Sequence, residues 1–200
     1  MLGSITPLGQ RARGFRFWPT ATAYIASSTI AGALLGALLG LIGVPVVERT
    51  SVIARLLFLA ALAVVGLAMD LRWGGLRLPT VRRQVNEEWM SRYRGPIFGA
   101  GFGFQLGLGV VTIVTTSAIY LTLAGELLSG SAASGLFIGT VFGLARALPI
   151  VTVAPVRDPQ TLRGVHASLA RWQGPVRTAT LALQSAFVVT AGVAAVAVSR

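Results

Sequence analysis

Between Gly95 and Gly125 the chain carries no charged residue, and that stretch outruns the roughly 20 apolar residues needed to cross the hydrocarbon core of a bilayer. Inside it lies GFGFQLGLGVVTIVTT, Gly101 to Thr116, whose glycines suit either a loop that cradles phosphate or a surface where two helices touch. A dinucleotide fingerprint requires G-x-G-x-x-G after a strand, with an acidic ribose partner about 20 residues on. Here the glycines fall at Gly101, Gly103 and Gly107, so the spacing is wrong. At helical spacing, Gly99, Gly103 and Gly107 recur every fourth residue and leave a flat strip that another backbone can approach closely. The device appears twice more: Gly32, Gly36 and Gly40 in GALLGALLG, and Gly135, Gly139 and Gly143 in GLFIGTVFG.

Composition agrees with a bilayer as solvent. The chain is 54% hydrophobic and 12% charged, with a mean hydropathy of +0.75, far from the balance of soluble domains. Every basic residue is Arg, and the net charge is +11. In a membrane protein such an excess gathers in cytoplasmic loops and meets anionic headgroups. The motif-bearing basic patch of a nucleic-acid domain is missing, so nucleic acid is not an expected partner. There is no cysteine, which excludes disulfides, thiol redox chemistry and thiolate-bound metal.

The charge-free windows predict an all-α polytopic membrane protein, a single domain over 1–200, with spans at about 20–47, 51–70, 95–125, 127–155 and 178–199. The first apolar window is too long for a cleaved signal peptide, whose core runs about 7–15 residues. Arginines concentrate in a tail over 1–19, in a loop over 71–94 and in a loop over 157–177, while the intervening segments hold only Arg49, Arg55, Arg146 and Arg200. This asymmetry predicts a plasma-membrane protein with its N-terminus in the cytoplasm and its C-terminus outside. Trp18, Trp73, Trp89 and Trp172 stand at the predicted cytoplasmic boundaries, as interfacial anchors do. In the 71–94 loop, Val81 to Tyr93 has the pattern of a short helix lying at the headgroups. The single His, His166, sits among arginines and lacks a carboxylate or Cys neighbour that would make it a base or ligand.

The glycines also suggest internal symmetry. Gly32, Gly36 and Gly40 align with Gly135, Gly139 and Gly143, and each strip runs to a proline, Pro45 or Pro149. Three crossings separate the two copies, so they traverse the membrane in opposite directions, as an inverted repeat requires. From Gly95 to Val156, FGFQLGLG followed by GLFIGTVFGLARALPIV resembles the DsbD/CcdA-type transmembrane electron carriers. The resemblance implies six spans arranged as two inverted triplets, and so one more crossing than the five windows give. Where that family carries a Pro-Cys pair, this chain reads VVTIVTT at Val110 to Thr116, so the resemblance carries over architecture without thiol relay.

Ionisable groups at membrane depth are costly and default to function. Arg146 precedes Pro149, whose ring frees a backbone carbonyl and marks a hinge. Its guanidinium suits an anionic solute or, if the helix ends near Leu148, the headgroups. Gln105 with the cluster Thr112, Thr115, Thr116 and Ser117 lines a polar path through the third span, or bonds locally to backbone or to a neighbouring helix. Asp70, Glu126 and Arg55 fall at helix ends, where the interface accounts for them. No carboxylate dyad, nucleophile–His pair or metal-ligand cluster is visible, so neither an enzyme nor a cofactor is expected. The expected function is a carrier of a small anionic solute bound by Arg146, Gln105, Thr112, Thr115 and Thr116. The alternative is a non-catalytic accessory or assembly subunit that holds a membrane partner protein, or a second copy of itself, through its glycine faces.

Overall fold

A computed structural model describes residues 5–76, 78–79, 93–111 and 114–198. Among them every regular element is helical: α1 (Pro7–Ala12), α2 (Phe17–Ile42), α3 (Val44–Arg49), α4 (Val52–Asp70), α5 (Gly95–Gly107), α6 (Ala118–Leu128), α7 (Ala132–Ala147) and α8 (Pro159–Val198), with 3-10 turns at Trp73–Gly75 and Leu148–Val153. Four helical stretches are long and apolar enough to cross a membrane: Phe17–Arg49, Val52–Asp70, Ala132–Val153 and Pro159–Ala197.

Helix α2 is the axis of the molecule, because all three glycine strips meet on it. A Cβ built on Gly32 would fall on the carbonyl oxygen of Gly139, one on Gly36 on that of Gly135, and one on Gly40 on that of Ser131. The numbers rise on α2 as they fall on α7, so the two helices run antiparallel with backbone against backbone. Ser28 continues the register by donating its hydroxyl to the carbonyl of Gly143 at 2.8 Å. On a second face of α2, Gly99 lies against the carbonyl of Thr20, Gly103 against that of Tyr24 and Gly107 against that of Ser28. Here the numbers rise together, and α5 runs parallel to α2. In lipid, helices gain no hydrophobic association, so this close approach supplies dispersion and Cα–H···O contacts instead.

Below this triad an apolar cluster closes the end where α2 and α5 begin. It holds Ile5, Phe17, Phe98, Phe102, Ile150 and Val153, with Leu162 and Val165 packed against it. Phe98 and Phe102 meet edge to face at 5.8 Å, and Arg13 lies 5.1 Å over the Phe98 ring. Helix α1 is tied in at its start by Thr6, which accepts from the Gly9 N–H at 3.0 Å. Helices α4 and α8 form a peripheral pair, with Ala63, Gly66, Ala191 and Ala195 buried.

Two expectations change, and a third falls on residues the structure does not describe. The third expected span, 95–125, is not one helix: it is broken between Gly107 and Ala118, so four continuous spans stand where five or six were expected. The basic segment 157–177 is not a loop, because α8 runs unbroken for 40 residues with Pro175 inside it, about 60 Å at 1.5 Å per residue. Its start is set by Asp158, whose carboxylate accepts from the Thr161 N–H at 2.8 Å and the Thr161 hydroxyl at 2.8 Å. Those bonds hold the exposed Asp158 carboxyl below its ordinary range. The helix expected over Val81 to Tyr93 lies, Tyr93 apart, outside the described residues, as does Trp89.

Gly36→Val is expected to destabilise the protein by at least about 3 kcal/mol, since the new atoms meet backbone that cannot give way. Gly164→Ala, where a Cβ meets nothing within 4 Å, is expected to be neutral or stabilising. Thermal unfolding of both variants in detergent checks the contrast; equal behaviour would show that α2 and α7 do not pack this closely.

Candidate functional site at the break between α5 and α6

A helix interrupted inside a bilayer exposes carbonyls at one new end and N–H groups at the other, and lipid satisfies neither. Both ends of the break between α5 and α6 are met by charged side chains from other helices.

At the first end Gly109 turns the chain with φ 75°, a left-handed conformation glycine adopts without strain. Its carbonyl accepts from Arg146 Nη1 at 3.2 Å. The guanidinium stands 5.4 Å over the Phe142 ring, and the same ring packs against Gly109, where a Cβ would come within 3.1 Å of it. A cation thus lies at the carbonyl end of the half-helix α5, the sign its dipole favours.

At the second end Asp70, the last residue of α4, receives the start of α6. Ser117 N–H donates to Asp70 Oδ1 at 3.0 Å and Oδ2 at 3.1 Å. The hydroxyls of Thr116 and Ser117 each donate to Oδ2 at 2.9 Å. From α8, Gln184 Nε2 donates to Asp70 Oδ2 at 3.1 Å and to Ser117 Oγ at 2.9 Å. Arg177 Nη2 reaches the Asp70 main-chain carbonyl at 3.1 Å. Gly66 makes the approach possible, since a Cβ there would lie 2.5 Å from Ser117 Oγ. This anion at the N-terminus of α6 again matches the dipole, and one carboxylate joins α4, α6 and α8.

Among the described residues, those singled out from the sequence stand at separate places. Arg146 serves one end of the break and Thr116 the other; Thr115 is exposed, Gln105 is half-buried on α5, and Thr112 lies outside the described residues. Pro149 sits in the 3-10 turn that follows α7. The nine strip glycines are all packed against backbone of other helices within the chain, which corrects the expectation that these faces are free to hold a partner. An open cavity of about 580 Å³ lies elsewhere, at the far end of α8 beside Gly192 and Val196. Among the described residues no group of three His, Cys, Asp or Glu could hold a metal ion.

Asp70 was read from sequence as an interfacial residue, and it is the hub of the site. Ser117, expected in the polar cluster of the third span, and Gln184, not singled out at all, are both buried. Their only sequence signal is that each is a polar residue in an apolar window. Glu126, also assigned to the interface, is 1% exposed on α6, with its Oε2 unpartnered.

Comparison with known proteins points in one direction. The chain is similar to the methylamine utilization protein MauF of Methylophilus methylotrophus, 33% identical over 181 residues, which is 86% of this chain and 60% of that protein. MauF of Paracoccus versutus is 34% identical over 161 residues, 78% of this chain and 58% of that protein. MauF of Paracoccus denitrificans is 30% identical over 178 residues, covering 84% and 60%. The chain therefore spans about three-fifths of the length of the curated relatives it matches. No family model matches, and no solved structure does. These relatives overturn the resemblance to the DsbD/CcdA-type carriers, because the similarity covering most of the chain leads to proteins named MauF.

Asp70→Ala would leave the Ser117 N–H, two hydroxyls and the Gln184 amide without their acceptor. The expected loss is about 3 kcal/mol of stability, with new protease sensitivity between Gly107 and Ala118. Asp70→Asn, which keeps the shape and one acceptor oxygen, is expected to lose less. Denaturant unfolding and limited proteolysis in detergent check both, and a silent Asp70→Ala would remove Asp70 from this role.

Proposed function

We propose that this chain is a MauF-like membrane protein of methylamine utilization that works as a non-catalytic accessory or assembly subunit, packed against a partner protein in the membrane. The observation that carries the reading is the similarity to proteins named for methylamine utilization, extending over 86% of the chain. The arrangement of the polar residues supports it. Arg146 and Thr116 are engaged at opposite ends of the break rather than aimed together at a solute, and a carrier role has no support from the relatives. Because the glycine strips are used internally, the partner meets other surfaces, of which the outer faces of α4 and α8 are the most open. Among their exposed residues are Leu57, Val64, Leu183 and Val193.

The half-helices α5 and α6 together make a fifth crossing, the broken-helix form found where irregular backbone is shielded by protein. The asymmetry of the arginines puts the N-terminus in the cytoplasm, the C-terminus outside, and the protein in the plasma membrane.

Disrupting the gene for this chain in its host is expected to abolish growth on methylamine as sole nitrogen source while growth on ammonium continues. Undiminished growth on methylamine would overturn the reading. Liposomes holding the purified protein are expected to take up neither methylamine nor small anions.

The cysteine-free chain is its own background for testing topology. A Thr50→Cys variant is expected to react with a membrane-impermeant maleimide added outside intact cells, and a Gly164→Cys variant only after the cells are opened. The reverse pattern would invert the proposed orientation.

A further inference from the structure

The end of the molecule where α4 stops and the apolar part of α8 starts carries a surface that the bundle itself does not use. After Asp70 the chain makes a tight turn in which Arg72 has φ 57°, and Gly74 and Gly75 have φ 63° and 77°. Arg72 is the one non-glycine residue with positive φ among the described residues, a conformation held only where surrounding structure imposes it. The turn leaves Leu71 exposed and Trp73 76% exposed. On α8, residues 170–179 are exposed on every side, although Leu162 and Val165 before them are packed and Gln184 after them is buried. That stretch presents Trp172, 62% exposed, and Val176 one turn on. The Arg177–Asp70 carbonyl bond at 3.1 Å holds the two elements together at one level.

That level is fixed by the chain itself: the uncharged window of α4 stops at Asp70, and that of α8 opens after Arg177. The surface combines exposed indole rings and aliphatic side chains with the guanidinium groups of Arg72 and Arg171, for which no acidic partner is found among the described residues. The nearby carboxylate of Asp70 is consumed by Thr116, Ser117 and Gln184. Rings that favour the headgroup layer, set among guanidinium groups that have no acidic partner among the described residues and that bind phosphate by two parallel hydrogen bonds, match an anionic phospholipid headgroup.

We propose that the Arg72–Trp73 turn and the Arg171–Val176 face of α8 form a binding site for an anionic phospholipid headgroup, with Arg72 and Arg171 on the phosphate and Trp73 and Trp172 on the glycerol and upper acyl region. It rests on the reading that the bundle crosses a membrane, not on which side of the membrane this end faces. An annular lipid of this kind clamps α4 to α8 at the surface, beside the exposed Arg177 bond, as Gln184 does inside the bundle.

The test uses the full chain carrying Trp18→Phe and Trp89→Phe, so that Trp73 and Trp172 report. It is reconstituted in phosphatidylcholine vesicles containing 20 mol% of brominated phosphatidylglycerol or of brominated phosphatidylcholine. Quenching is expected to favour brominated phosphatidylglycerol, with a local enrichment of roughly fivefold for each guanidinium engaged, weakening as salt is raised. Arg72→Gln with Arg171→Gln is expected to remove the preference while Arg163→Gln leaves it. Equal quenching by the two lipids overturns the site but leaves the membrane crossing intact. A preference that survives the double substitution overturns the assignment of these arginines. No quenching by either lipid means that protein covers the rings, a partner or a second copy, and overturns the lipid as occupant. If the reporter chain also fails to float with the vesicles in a density gradient, the membrane reading itself falls.

Discussion

Backbone-to-backbone contact along α2 is the constraint on which the rest of the molecule depends. Three helices converge within a distance that leaves no room for a Cβ at Gly32, Gly36, Gly99, Gly103, Gly107, Gly135, Gly139 or Gly143. A bilayer offers no hydrophobic reward for bringing helices together, so the contact area itself has to be gained by proximity. The same strips that draw α5 and α7 onto α2 commit those faces internally. Of the long helices α4 and α8 are the least buried, and their large exposed apolar side chains suit lipid or a partner.

With α2 fixed, the break between α5 and α6 becomes possible. The end of α5 is held parallel to α2 by Gly107 against Ser28, and α7, antiparallel on the other side, brings Arg146 to the carbonyl of Gly109. The start of α6 needs a different partner, and Asp70 arrives from α4 with an acceptor for Ser117. Each half-helix thus ends on a side chain of the charge its dipole favours. The cost of interrupting a helix in an apolar medium is offset by groups drawn from three other elements. What the break accomplishes beyond architecture follows the reading of the chain as an accessory protein: a rigid, satisfied node suits a scaffold better than a moving gate.

Much of this was legible in the residues. Charge-free windows longer than a bilayer crossing give the helical class, and glycines at every fourth position give the packing faces, because both rest on period and composition. The pairing of the α2 strip with that of α7 was foreshadowed by the alignment of their glycines, although that alignment was read as symmetry rather than as contact. The ends of elements were less readable: Val110 to Thr116 looks like continuous apolar helix, and the arginine-rich 157–177 looks like a loop. In the first case Gly109 and the Asp70 acceptor outweigh local propensity. In the second, Asp158 caps a helix whose start is packed by Leu162 and Val165 and which continues through Pro175 to a far part where Gln184, Ala191 and Ala195 are buried.

By itself the sequence determined the solvent this chain is built for and the faces on which its helices pack, since hydrophobic length and glycine spacing are local quantities. Only the tertiary structure decided that Asp70, Ser117 and Gln184, separated by 47 and 67 positions along the chain, form one node. It also decided that Arg146 caps a broken helix. A hydrogen bond between distant residues depends on where two backbones cross, and that is fixed by the packing of the whole bundle rather than by the pattern of any one segment.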